Sequence, residues 1–274
     1  MYFPEIYVIH FDKLVERKVH LEEQLKREGL KAEWFIQRGE DFYTKKEIDR
    51  YYKYDRNKWV EKIKIAKLNR VPRPLGKAEV NLSINHFKLL ERISKDEGKL
   101  FLILEDDAIL CEEFAYNLRK IITELEEVEW DICFLDWCDM IPPRKRGSVE
   151  IADQRGKEDP DSWGTGAYLV KPRTAAELLR DFDHFTLNCD DEIRYLVKKK
   201  RLVPKWALPP LIEQGSFYGK FTSSLSKSRE KSGIKKYVFW RKGIYTFLRK
   251  VGLEKVADLL EKLEVQLTKR LLKI

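Results

Sequence analysis

Glu105, Asp106 and Asp107 follow directly on the apolar run Phe101-Leu-Ile-Leu104. Three consecutive carboxylates repel one another unless water or a cation offsets their charge. Hard oxygen ligands of this kind suit Mg²⁺ or Mn²⁺, and a divalent ion held there can in turn hold a phosphate group. The same residues also fit an acidic loop that opens a helix, because carboxylates favour a helix N-terminus. Other chemistry-bearing residues carry similar pairs of readings. Arg17 can fork onto a diphosphate or lie as a solvated helix residue. His86, within a helical pattern, is a structural hydrogen-bonder or a ligand. In Trp163-Gly-Thr-Gly166 the glycines permit close backbone approach. That suits a strand beside a sugar with the Trp163 ring as an apolar face, and equally a core Trp next to a turn. The spacing is neither a Walker nor a dinucleotide fingerprint.

The elements that must position these residues read as α/β. Lys99 to Leu110 is a strand buried on both faces of a mainly parallel sheet, and in such sheets ligands sit at the carboxyl ends of the strands, where Glu105 to Asp107 emerge. Glu5 to His10 is a first strand, Leu14 to Glu28 a helix stopped by Gly29, and Ala32 to Ile36 the next strand. Thr44 to Leu68 has weak periodicity and reads as an excursion over the active face, ending in Arg70-Val-Pro-Arg-Pro74. Gly76 to Ile93 is a helix with Val80, Ile84, Phe87, Leu90 and Ile93 on one side. Phe114 to Leu125 (helix), Trp130 to Leu135 (strand), a mobile loop from Pro142 to Asp161, and a helix after Lys171-Pro172 follow. Asn188 to Lys199 is a helix whose acidic start, Asp190-Asp-Glu192, suits the dipole, and Leu202 to Leu208 is a last short strand.

Composition bounds the rest. With 43% hydrophobic residues in 274, the chain supplies a sizeable core and is globular. The N-terminus lacks signal-peptide features and no apolar run approaches a membrane span, so the expected location is cytoplasmic. The four cysteines show no metal-ligand spacing, which points to thiols rather than disulfides or structural zinc. From Ser226 onward cationic residues outnumber acidic ones by nearly three to one, so the net charge of +8 belongs to the tail and argues against nucleic acid as the partner of the remainder. The expected division is a catalytic domain over 1–225 and a basic, amphipathic helical tail over 226–274. Such a tail suits an anionic membrane surface, and would make the protein peripheral on the inner face of the cytoplasmic membrane. Packing against the catalytic domain or a partner chain suits it equally.

Taken in order, these pieces resemble glycosyltransferase family 25, the family of lipooligosaccharide and procollagen galactosyltransferases. The first strand followed by Asp12 to Arg17 is similar to the family's opening block, with His10-Phe11 in place of Asn-Leu. Ala78 to His86 keeps the Glu79 and His86 of a second block but replaces several small residues. Leu104-Glu-Asp-Asp-Ala108 matches the acidic motif. Trp163-Gly-Thr-Gly-Ala-Tyr168, Cys189-Asp-Asp-Glu192 and Pro210-Leu-Ile-Glu-Gln214 follow in the family's order.

The resemblance implies a GT-A fold, a Rossmann-type sheet with a metal-binding acidic motif, and inverting transfer of a hexose from a nucleotide sugar, UDP-galactose being the donor best associated with the family. The acceptor it implies is a saccharide such as lipooligosaccharide. It assigns Asp107, with Glu105, to Mn²⁺ or Mg²⁺. Donor binding falls to Arg17, Glu79, His86, Glu105, Asp106, Trp163, Gly164 and Thr165. Asp191 is the expected base, with Asp190 beside it. Two other classes compete. One is a non-catalytic adaptor that binds membrane or nucleic acid through a degenerate transferase domain. The other is a metal-dependent phosphoesterase, which leaves the later blocks without a role.

Overall fold

The computed structural model describes residues 3–39, 41–68, 70–137, 149–153, 164–216 and 220–221. The expected tail and Trp163 lie outside these residues. The order is β1 (Glu5–Phe11), α1 (Val15–Arg27), β2 (Glu33–Gln37), α2 (Lys45–Tyr51), α3 (Arg56–Ala66), α4 (Lys77–Ile93), β3 (Phe101–Glu105) and β4 (Ala108–Leu110). It continues with α5 (Phe114–Glu126), β5 (Ile132–Phe134), β6 (Asp136–Trp137), β7 (Glu150–Ala152), β8 (Ala167–Val170), α6 (Pro172–Leu179), α7 (Cys189–Lys199), β9 (Pro204–Leu208) and β10 (Ile212–Gln214).

Seven strands form one mixed sheet in the order β2-β1-β3-β8-β5-β9-β7. The pairings of β1 with β2 and β3, and of β5 with β9, are parallel, while β8 is antiparallel to both neighbours and β7 to β9. All strands but β8 and β7 therefore run the same way, and the sheet is mostly parallel, as the sequence suggests. Both faces are covered, and the alternation of side chains shows it. Tyr7, Ile9, Phe101 and Ile103 enter a core with α4, α6 and α7, whereas Ile6, Val8, Leu102 and Leu104 enter another with α1 and α5. Phe101 to Leu104 are essentially inaccessible, each worth about 1.5–3 kcal/mol relative to exposure.

The sequence reading is corrected in several places: Lys99 to Leu110 is not one strand but breaks at Asp106-Asp107 into β3 and β4, which join different sheets, and β10 follows the strand expected to be last. Thr44 to Leu68, read as an excursion with weak periodicity, holds two helices, α2 and α3. Thr44 closes a capping box with Glu47, and the Asp55 carboxylate accepts from the N–H groups of Asn57 and Lys58. The periodicity of α3 is masked because its buried face includes Lys62, whose ammonium is 2.5 Å from the buried Glu192 carboxylate. The loop predicted for 142–161 contains the short edge strand β7.

A second, three-stranded sheet, β4-β10-β6, positions the site. β4 leaves directly from Asp107 and pairs with β10 so that Ala108 lies opposite Gln214, while β6 runs parallel to β10 with Asp136 opposite Ile212. Gln24 of α1 ties this sheet to the first layer by donating to the Ala108 carbonyl (3.1 Å) and accepting from the Leu110 N–H (2.8 Å).

Candidate active site

The chain turns at Asp106-Asp107 between β3 and β4, and the three acidic side chains of the tip separate into different environments. Asp106 points into the protein. Its Oδ2 accepts from His10 Nδ1 (2.8 Å) and from the Phe11 N–H (3.2 Å), and its Oδ1 accepts from Arg17 Nη1 (2.8 Å). Arg17 is therefore a buried partner of the acidic tip, not a solvated helix residue, and the Phe221 ring lies 5.9 Å from its guanidinium carbon.

Asp107 is also buried. Its Oδ2 accepts from the Ser216 N–H (3.1 Å) and its carbonyl from the Gly215 N–H (2.8 Å). Its Oδ1 is inaccessible and has no hydrogen-bond partner among the described residues. A buried carboxylate oxygen without a donor is costly unless a cation or water meets it. A Cβ on Gly215 would stand 3.0 Å from the Asp107 carbonyl and 2.5 Å from the Phe221 ring, so this turn needs glycine for close approach.

Glu105 lies between these acids and the end of α7. Its Oε1 is 3.4 Å from Thr165 Oγ1 and 3.5 Å from His86 Nε2. Burial, and then the charges of Asp107, Asp190 and Asp106, push its carboxyl well above the ordinary range, with Arg17 opposing. A cation at the tip would offset that repulsion. Among the described residues no three His, Cys, Asp or Glu side chains group closely enough to cage a metal ion. One or two carboxylates are what Mg²⁺ uses where water and phosphate oxygens complete its shell, and Asp107 with Glu105 fits that pattern.

Opposite the tip stands the first turn of α7, capped by the Asn188 side chain accepting from the Asp191 N–H (3.2 Å). Asp190 Oδ1 accepts from the Thr165 N–H (2.9 Å) and from the Thr165 hydroxyl. Thr165 thus joins the carboxylates of Glu105 and Asp190. Asp191 instead faces Arg70, at 3.6 Å. The neighbouring Arg73 also feels the Asp191 charge and clasps Glu79 with both guanidinium nitrogens, at 2.7 and 2.5 Å. Glu79 further accepts from the Gly76 N–H as a helix cap, so it supports the rim loop rather than the acidic tip.

His86 is fully buried, with Nδ1 3.1 Å from the Tyr168 hydroxyl. Burial holds it neutral, its pKa pushed down to about 4. Gly164 is buried beside Thr165. Gly166 fits between Asp136 and Gln214, because a Cβ there would meet Asp136 Oδ2 at 2.8 Å and Gln214 Nε2 at 2.7 Å. The sequence reading missed His10, Asp136, Tyr168 and Ser216. Only Asp136 carried a signal, as a carboxylate at the end of an apolar strand.

No curated protein matches the chain. Among solved structures, a structure described as a glucose-1-phosphate thymidylyltransferase from Bacillus anthracis in complex with a sucrose aligns at 12% identity and TM-score 0.36, covering 74% of this chain and 86% of that one. Mouse xyloside xylosyltransferase 1 aligns at 10% identity and TM-score 0.34, covering 73% and 83%. Likenesses this slight do not bear on the fold, which rests on the strand order above. Residues 3–141 match the family described as glycosyltransferase family 25 (LPS biosynthesis protein), a stretch that covers half the chain and includes Arg17, Glu79, His86 and the acidic tip. The chain therefore belongs to glycosyltransferase family 25 and is a nucleotide-sugar-dependent glycosyltransferase.

Proposed function

We propose that this glycosyltransferase is metal-dependent and inverting, and that it moves a hexose, galactose from UDP-galactose, onto the saccharide acceptor of a cell-surface glycan such as lipooligosaccharide. The observation that carries this reading is the unpartnered, buried Asp107 Oδ1 at the carboxyl end of β3. Bound there by Asp107 with Glu105, Mn²⁺ or Mg²⁺ would supply the positive charge that stabilises a leaving diphosphate.

The chain's own residues divide the remaining work. Arg17 and Asp106 fix the tip from behind, leaving Asp107 and Glu105 as the carboxylates that would hold the metal. Thr165, within hydrogen-bonding reach of Glu105, would stand on the donor side, with His86 buried behind Glu105. An inverting displacement needs a base on the ring face opposite the leaving group. Asp190, joined to Glu105 through Thr165, would belong to the donor side. Asp191, turned towards the Arg70 loop and not engaged with Thr165, is the proposed base for the acceptor hydroxyl. The basic tail over 226–274 would bring the enzyme to an anionic membrane.

The test is a screen of nucleotide sugars for nucleotide release with and without Mn²⁺. Release from UDP-galactose that EDTA abolishes supports the reading. Release from no donor, or metal-independent release, contradicts it.

A further inference from the structure

Tyr168 and His86 lie behind Glu105 in a line that runs across three elements. Tyr168 is on β8, His86 is on α4 and Glu105 ends β3. The Tyr168 hydroxyl is 3.1 Å from His86 Nδ1, the two rings stack at 5.9 Å, and His86 Nε2 stands 3.5 Å from Glu105 Oε1. Both rings are completely buried. Nε2 is inaccessible and otherwise without a hydrogen-bond partner among the described residues.

The proton positions follow from counting donors. A buried phenol must place its proton on an acceptor, and among the described residues the hydroxyl of Tyr168 has His86 Nδ1 as its hydrogen-bonding neighbour. Nδ1 therefore accepts, and in a neutral imidazole the proton must then reside on Nε2. That N–H is aimed at Glu105. At 3.5 Å the contact is longer than a formed hydrogen bond. Contacts of this type tighten when a ligand draws the carboxylate into place.

We propose that Tyr168 and His86 are positioning residues that set the orientation of the Glu105 carboxylate, through a chain of donors from the Tyr168 hydroxyl to His86 Nδ1 and from His86 Nε2 to Glu105. The role of Glu105 at the donor rests on the proposed function. The tautomer of His86 does not, because it depends only on Tyr168. A ligand carboxylate held from behind by a hydrogen-bond donor is a known means of fixing metal geometry, and losing such a donor typically costs 10–100-fold in affinity.

Two measurements on the full-length protein test this. The first is the ¹⁵N spectrum of the histidine side chains at pH 8, with His86→Gln used to assign the signal. The expected result is a neutral ring with unprotonated Nδ1, whose shift moves in Tyr168→Phe. A protonated Nδ1 in the wild type overturns the proposal whatever the site binds. The second is calorimetric titration with Mg²⁺-UDP of wild type, Tyr168→Phe, Glu105→Gln and the double variant. Tyr168→Phe should weaken binding about tenfold, and in the Glu105→Gln background it should add less than twofold. Wild-type affinity in a folded Tyr168→Phe, or losses that multiply in full, overturns it. If Glu105→Gln alone binds like the wild type, the donor-site role of Glu105 fails and with it the functional half of the proposal, while the nitrogen spectrum still decides the hydrogen-bond chain.

Discussion

Arg17 Nη1 and Asp106 Oδ1 are 2.8 Å apart, both side chains buried, so the middle acid of Glu105-Asp106-Asp107 is turned away from its two neighbours. An acidic tip that reads as one cluster therefore has one carboxylate, Asp106, committed to a buried ion pair, and the proposed metal role falls to the other two. Breaking a buried pair by removing one charge costs about 3–5 kcal/mol. Asp106→Asn leaves the guanidinium opposite a neutral amide and should fall near the lower end of that range. Urea unfolding checks this, and a loss below about 1 kcal/mol would show that Asp106 is not structural.

His86 gives the stability a pH dependence. Its folded pKa of about 4 lies below the ordinary 6.5, so as pH falls the unfolded chain takes up the proton first. The contribution is present above pH 6.5 and lost as pH falls towards 4, by at most about 3 kcal/mol from 1.36 kcal/mol per pKa unit. His86→Gln lacks this proton. The Tm advantage of wild type over His86→Gln should therefore shrink steadily from pH 7.5 to pH 5, and a gap that widens on acidification would contradict the assignment of a buried neutral ring.

Asp190 and Asp191 are adjacent in sequence but face different partners, Thr165 and Arg70. Asp191→Asn should keep donor affinity while kcat falls at least 100-fold, the usual scale for losing a general base. Asp190→Asn should weaken donor binding as well. A reversed pattern in steady-state kinetics and UDP titrations would move the base to Asp190.

The basic tail predicts binding to anionic vesicles that is lost on truncation at Ser226. Sedimentation with and without phosphatidylserine measures it, and equal binding of the two forms would remove the membrane role.

How much of this was legible follows the range of the interactions. Phe101 to Leu104 running into carboxylates announced a buried strand with charge at its carboxyl end, because the signal is local. The helices α1, α4, α5 and α7 were likewise visible in their apolar spacing. The pairing of Asp106 with His10 and Arg17 spans about ninety residues and leaves no local trace, so Arg17 read more readily as a surface residue. In α3 a buried Lys62 satisfied by Glu192 broke the apolar pattern that would have revealed the helix. Tyr168 read as one more strand aromatic, since only the fold brings its hydroxyl to His86. The edge strand β7, three residues long, is too short for any alternation to register.

The central claim rests on Asp107, whose buried Oδ1 has no hydrogen-bond partner among the described residues. The most direct measurement compares wild type with Asp107→Asn in Mn²⁺-dependent binding of UDP and release of UDP from UDP-galactose, with thermal unfolding recorded on the same samples. The account predicts a variant as stable as the wild type to within about 1 kcal/mol that no longer binds UDP in a Mn²⁺-dependent way and releases at least 100-fold less of it. Undiminished Mn²⁺-dependent binding and turnover in a folded Asp107→Asn would contradict it.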